Sequence, residues 1–133
     1  MVIVGGDTGA VRASLEAGKA AGGEFVVDTL LIPSVHEQVF PAISGTVEVT
    51  DPQAVGVIEY YSIASAIEAA EAAQITLIEV RTGYAIGGKG FVVLTGDVGA
   101  VRAAIDAAKQ VSELYVESTV IPRPAPQLLE SLL

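Results

Sequence analysis

The chain has 133 residues, a formal net charge of −9 and only 7 basic residues, so neither nucleic acid nor an anionic membrane is an expected partner. It contains no cysteine, which excludes disulfides, zinc thiolates and iron–sulfur ligation and suits a reducing cytoplasm. With 51% hydrophobic but 5% aromatic residues, the core must be built from Ala, Val, Ile and Leu, and a mean hydropathy of +0.56 calls for apolar surface buried against other subunits.

No stretch of 18 apolar residues exists, so a membrane-spanning helix is not expected, and MVIVGGD lacks the basic and apolar regions of a signal peptide. The first element, VIVG, is a β-branched run ending at glycine and reads as a strand over 2–5. Asp7 then stands where a helix N-cap belongs, ahead of an amphipathic stretch with Val11 and Leu15 on one face. FVVDTLLI (25–32) reads as a second strand, stopped by Pro33, which cannot donate to a ladder. PAISGTVEVTDPQ (41–53) reads as a linker around Gly45 and Pro52.

Beyond it the pattern becomes fuller. AVGVIEY is a strand, SIASAIEAAEAA an Ala-rich helix and ITLIEVRT a further strand. The glycine-rich loop GYAIGGKG leads to the strand FVVLTG, a helix capped by Asp97 with Val101 and Ile105 on one face, and the strand YVESTVI ending at Pro122. PQLLESLL reads as a short C-terminal helix.

The chain repeats itself. At an offset of 90, residues 2–19 and 92–109 agree at ten of eighteen positions, among them Gly6, Asp7, Gly9, Val11, Arg12 and Lys19. At an offset of 89, EFVVDTLLIP (24–33) meets ELYVESTVIP (113–122). Residues 54–121 thus read as a complete split β-α-β-β-α-β unit of the α+β class, an antiparallel sheet with helices in strand order 4-1-3-2. Residues 1–44 repeat only its second half, with 45–53 as linker and 125–133 as a C-terminal helix. In the half copy a slot is left where the first strand belongs, and its unpaired backbone must be filled by another segment, a partner chain or a rearranged sheet.

Catalytic and ligand motifs are weak. Gly83, Gly88 and Lys89 match a phosphate loop, but Gly90 replaces the required Ser/Thr and a strand follows where a helix is needed. GGDTG (5–9) places the Asp7 carboxylate where an anion would sit, so Asp7 and Asp97 read as structural caps. His36 is the only histidine and has neither a G-x-S-x-G elbow nor a second imidazole to work with. Glu68 and Glu71 lie three apart on a helix and read as a solvated face, and Glu59 is a single carboxylate leaving an apolar strand. No enzymatic constellation, metal site or cofactor is expected.

The segments AVGVIEYYSIASAIEAAEAA, LIEVRTGYAIGGKGFVVLTGDVGAVRAAIDAA and VIPRP resemble, in order and character, the shell-protein domain of bacterial microcompartments through 54–124. With the half copy and LIPSVHEQVFPAISG, the whole resembles tandem-domain shell proteins of the propanediol-utilisation type, with the first half of domain one not in these residues. The resemblance implies a non-enzymatic, cytoplasmic structural protein that assembles with itself, as trimer or hexamer, and with other shell proteins into pseudohexagonal tiles. It implies a pore loop at Ala85, Ile86, Gly87, Gly88 and Lys89 for passive passage of small metabolites, and a tile-edge contact at Pro122, Arg123 and Pro124. The rival expectation is an oligomeric small-molecule sensor of ferredoxin-like fold, with GYAIGGKG as the ligand clamp.

Overall fold

Strand β1 (Ala54–Tyr60) organises the structure. Its apolar run AVGVIEY carries side chains usable on both faces, as a strand buried on both sides requires. The computed structural model describes residues 1–49, 52–83 and 87–132. After β1 come α3 (Ile63–Ala73), β2 (Thr76–Arg81), β3 (Gly90–Gly96), α4 (Val98–Ala108), β4 (Tyr115–Pro122) and α5 (Pro126–Leu132). Ahead of β1 lie α1 (Thr8–Gly22), a 3-10 turn at Gly23–Phe25 and α2 (Val39–Ser44). The sheet is antiparallel in the order β2-β3-β1-β4, so the split α+β topology expected for 54–121 is the one formed.

Two helices cover one face of this sheet. The α3 alanines 66, 69, 70 and 73 recur at helical spacing and are all buried. They meet Ile58, Tyr60, Val92 and Leu94 of the strands and Val101, Ala104, Ile105 and Ala108 of α4 in one apolar cluster. Small side chains let the helix lie close. A Cβ added at Gly90 would sit 2.5 Å from the Ala66 Cβ and 3.2 Å from the Ile63 Cα, so only glycine fits beneath α3. Val55, Ile78 and Val93 form a second, small cluster that Val49 partly covers.

The opening residues depart from expectation. Residues 2–5 and 25–32 are not strands; both are irregular apart from the short turn at 23–25. The reason is the absence of a ladder partner: residues 1–6 and 27–35 make no backbone–backbone hydrogen bond among the described residues. Helix α1 forms, with the Asp7 carboxylate accepting from the Gly9 and Ala10 amides at 2.9 and 3.4 Å, but buries no residue. Its repeat α4, capped by Asp97 accepting from the Ala100 amide at 2.9 Å, buries four. The supposed linker is also partly structured. Its first residues belong to α2, whose Val39 and Ala42 join the main core, and Gly45 closes that helix in the left-handed conformation with φ 65°.

Beneath α4, the fully buried Tyr60 hydroxyl donates to the Ala108 carbonyl at 2.5 Å. Burial, reinforced by the neighbouring Tyr115 and Glu68, pushes its pKa up to about 12. An unfolded tyrosine ionises near pH 10, so the unfolded chain loses its proton first and stability falls as pH rises from about 10 to 12. Tyr60→Phe should therefore cost about 1–3 kcal/mol at pH 7, by orphaning the carbonyl, and should flatten the decline across pH 10–12. Urea unfolding at a series of pH values checks both.

Candidate functional site

Three places on this frame carry polar groups with defined geometry. The first is the β2–β3 loop. Ala85 and Ile86 lie outside the described residues, whereas Gly87 and Gly88 turn the chain with φ 67° and 80°, a conformation that favours glycine. Lys89 follows at the mouth of β3, and its Nζ donates to Glu59 Oε1 at 2.7 Å while lying 5.4 Å from the Tyr61 ring centre. The hydrogen bond to Glu59 holds the ammonium above the ordinary lysine value. Glu59 is thus not a lone carboxylate. It leaves β1 opposite Phe91 of β3 and Glu117 of β4, and Lys89 neutralises it. Nearby on β2, Arg81 forks onto Glu79 through two contacts of 3.0 Å, which raises the guanidinium pKa. Lysine and arginine at this loop each face a carboxylate.

The second place is the far end of the same strands. Pro122, the last residue of β4, pairs with Ala54 at the start of β1. Arg123 adopts φ 48°, unusual for a residue with a side chain, and its amide donates to the Gln53 carbonyl at 2.8 Å. Pro122, Arg123 and Pro124 line an open groove together with Pro52, Gln53 and Val98. The length of β1 separates this groove from Lys89 by about 20 Å. The loop and the Pro-Arg-Pro segment are therefore two surfaces, not one site.

The third place joins the two repeats. The hydroxyls of Ser62 and Ser65, both buried, donate to the Asp28 carboxylate, Ser65 at 3.0 Å. Ser62 also caps α3 by accepting from the Ser65 amide at 3.1 Å, and Ser65 shares a 2.9 Å hydrogen bond with Ser112. Serine ahead of the Ala-rich stretch was a cap signal legible in the sequence; nothing local pointed to Asp28, 34 residues away. Two further contacts bind the same region. The Gln38 side chain accepts from the Leu77 amide at 3.1 Å, satisfying an edge donor of β2, and the His36 amide donates to Glu71 at 2.8 Å. His36 and Glu71 thus serve a joint, and Glu68 sits near Tyr60. Among the described residues no cluster of His, Asp or Glu could hold a metal ion. None of their helices is long and apolar enough to cross a membrane.

These features define a split β-α-β domain with a glycine loop at one end of its sheet and a strained Pro-Arg-Pro turn at the other. Comparison with known proteins agrees. The BMC domain model matches residues 1–35 and 54–124. The chain is 40% identical over 131 residues to the bacterial microcompartment shell protein PduT of Citrobacter freundii, covering 93% of this chain and 71% of that protein. It is 41% identical over 78 residues to the shell protein PduA of Salmonella typhimurium, covering 54% of this chain and 82% of that protein. A solved microcompartment protein from Desulfitobacterium hafniense superposes with a TM-score of 0.82 at 42% identity, covering 94% of this chain and 73% of that one. The chain belongs to the BMC-domain family.

Asp28→Ala should leave the buried Ser62 hydroxyl without its acceptor and cost about 1–2 kcal/mol. It should speed proteolysis within residues 23–35 while the exchange of β1 and β3 amides stays slow. Limited proteolysis with mass mapping, alongside hydrogen exchange, reads both.

Proposed function

We propose that the protein is a structural, non-enzymatic component of a bacterial microcompartment shell that assembles with itself and with other shell proteins. The observation that carries assembly is the Asp28 contact. Residue 28 belongs to the repeat of β4, and it grips the N-terminus of α3 in the adjoining domain. The equivalent position in the complete copy is Glu117, which is exposed on β4, at an edge of the sheet. A contact made once within the chain and left open at its repeat leaves Glu117 free to take up a helix N-terminus presented by a neighbouring shell protein, as Asp28 takes up that of α3. The tiles of this reading are pseudohexagonal and built from trimers or hexamers of chains.

Within such a tile the loop 85–89 lines the central pore, and small metabolites cross it passively. Glycines let the backbone crowd the axis, and Lys89, held by Glu59, adds no uncompensated charge at the mouth. Arg123, presented by its strained backbone, makes the lateral contact between tiles through its planar donor fork. The organisation is a half shell domain over 1–44, a linker over 45–53, a complete domain over 54–124 and a C-terminal helix over 125–133. Like the microcompartments themselves, the protein resides in the cytoplasm.

Native mass spectrometry should find closed trimers or hexamers of the 13.6 kDa chain. Glu117→Lys should lower the assembled fraction roughly tenfold, the ratio expected from about 1.4 kcal/mol lost per contact. A chain that stays monomeric at every concentration overturns the reading.

A further inference from the structure

At the loop end of the sheet, the Lys89 side chain turns back from the loop that carries it. Ile58 and Tyr60 of β1 and Val92 of β3 pack beneath the helices. Glu59 and Phe91 alternate with them and pair in register, so both project from the opposite face. Lys89 lies two residues ahead of Phe91 and shares that face. Its stem runs toward the ladder and sets Nζ 2.7 Å from Glu59 Oε1 and 5.4 Å from the centre of the Tyr61 ring. Gly87 and Gly88 stay exposed and present backbone only. Two neighbours favour this latch. Glu117 of β4 stands directly opposite Glu59 across the ladder, and like charges so placed repel unless a cation intervenes. The Tyr61 ring offers the ammonium its face. Arg81, the other cation at this end, is held by Glu79 and does not compete for Glu59.

We infer that Glu59 determines the charge class this loop accepts. By drawing Lys89 back it leaves Gly87 and Gly88 to meet uncharged polar molecules, and it offers anions no uncompensated charge. The inference deepens the pore reading above and rests on it for the place of the loop in a tile. Lysine carries a point charge on a flexible four-carbon stem. Without the Glu59 carboxylate that charge is unbalanced and stands two residues from the glycine amides. An ammonium beside exposed backbone N–H groups is the donor set that phosphates and carboxylates bind. In a ring each chain adds one such charge, and charges of one sign around an axis concentrate counter-ions and repel co-ions. The residue that sets specificity thus lies on β1, outside the loop itself, and one isosteric change removes its charge.

Inorganic phosphate is the probe. The isotope-labelled full chain is titrated with it at about 0.05 M ionic strength, where surface charge is little screened, and the amides of Gly87, Gly88 and Lys89 are followed by NMR. The wild-type chain should show small shifts that do not saturate. Glu59→Gln should show saturable shifts, with phosphate binding about fivefold tighter than in the wild type, the ratio expected from releasing one pair of this exposure. The double variant Glu59→Gln/Lys89→Gln should return to the wild-type response, and unchanged α4 and β4 signals show that each variant is folded. No response in Glu59→Gln overturns the inference. An equal response in the double variant also overturns it, since loosening of the loop rather than the released ammonium then admits the anion. The same three chains, as tiles spanning a planar lipid bilayer under a potassium chloride gradient, separate this inference from the pore reading. The wild-type reversal potential should lie near zero, Glu59→Gln should move it toward the chloride potential, and the double variant should bring it back. The expected phosphate response without conductance keeps the inference and removes the pore reading. Conductance whose reversal potential ignores Glu59→Gln does the reverse.

Discussion

The structure depends on the double pairing of β1. Hydrogen-bonded along both edges over Ala54–Tyr60, this strand joins β3 to β4 and gives α3 and α4 a common floor. A central strand has no tolerance for unsatisfied backbone, and none for bulk where a helix presses on it, so Gly56 and the buried alanines belong to one packing solution. The repeat at the start of the chain carries counterparts of β3, α4 and β4 with no strand paired between them among the described residues. Helix α1 still forms, because its cap is local, but its apolar face has no sheet to lie on.

The same frame separates the functional surfaces. An antiparallel strand brings the β2–β3 loop to one end of the sheet and the Pro-Arg-Pro turn to the other. Charge at the loop end is paired locally, Lys89 with Glu59 and Arg81 with Glu79, although the chain as a whole is strongly acidic. At the other end, strain is stored in Arg123 and held by one backbone hydrogen bond to Gln53. The pore lining and lateral contact proposed for these two ends require such a separation, because one would face a central axis and the other outward.

Residues 26–49 are more than a connection. Asp28 and His36 reach the start and the later turns of α3, Gln38 reaches β2, and Val39 and Ala42 enter the core of the complete domain. The polar contacts give two buried serine hydroxyls an acceptor and satisfy an edge amide of β2. Residues 26–49 are thereby tied to the domain that follows through hydrogen bonds as well as apolar contact.

Much of this was legible in the amino-acid order. Periodicity placed the two helices and four strands of 54–122, because apolar spacing of two and of three to four residues reports which faces are covered. Asp7 and Asp97 were readable as caps, since a carboxylate two or three residues from the amides it accepts is a local matter. The internal repeat of residues 2–33 at 92–122 was readable from the order of residues alone. Tertiary structure decided the rest. The segments 2–5 and 25–32 have strand composition yet form no strand, because a ladder needs a partner that local pattern cannot supply. The pairings of Lys89 with Glu59 and of Asp28 with Ser62 and Ser65 join residues distant in the chain, and only the closing of the sheet brings them within hydrogen-bond range.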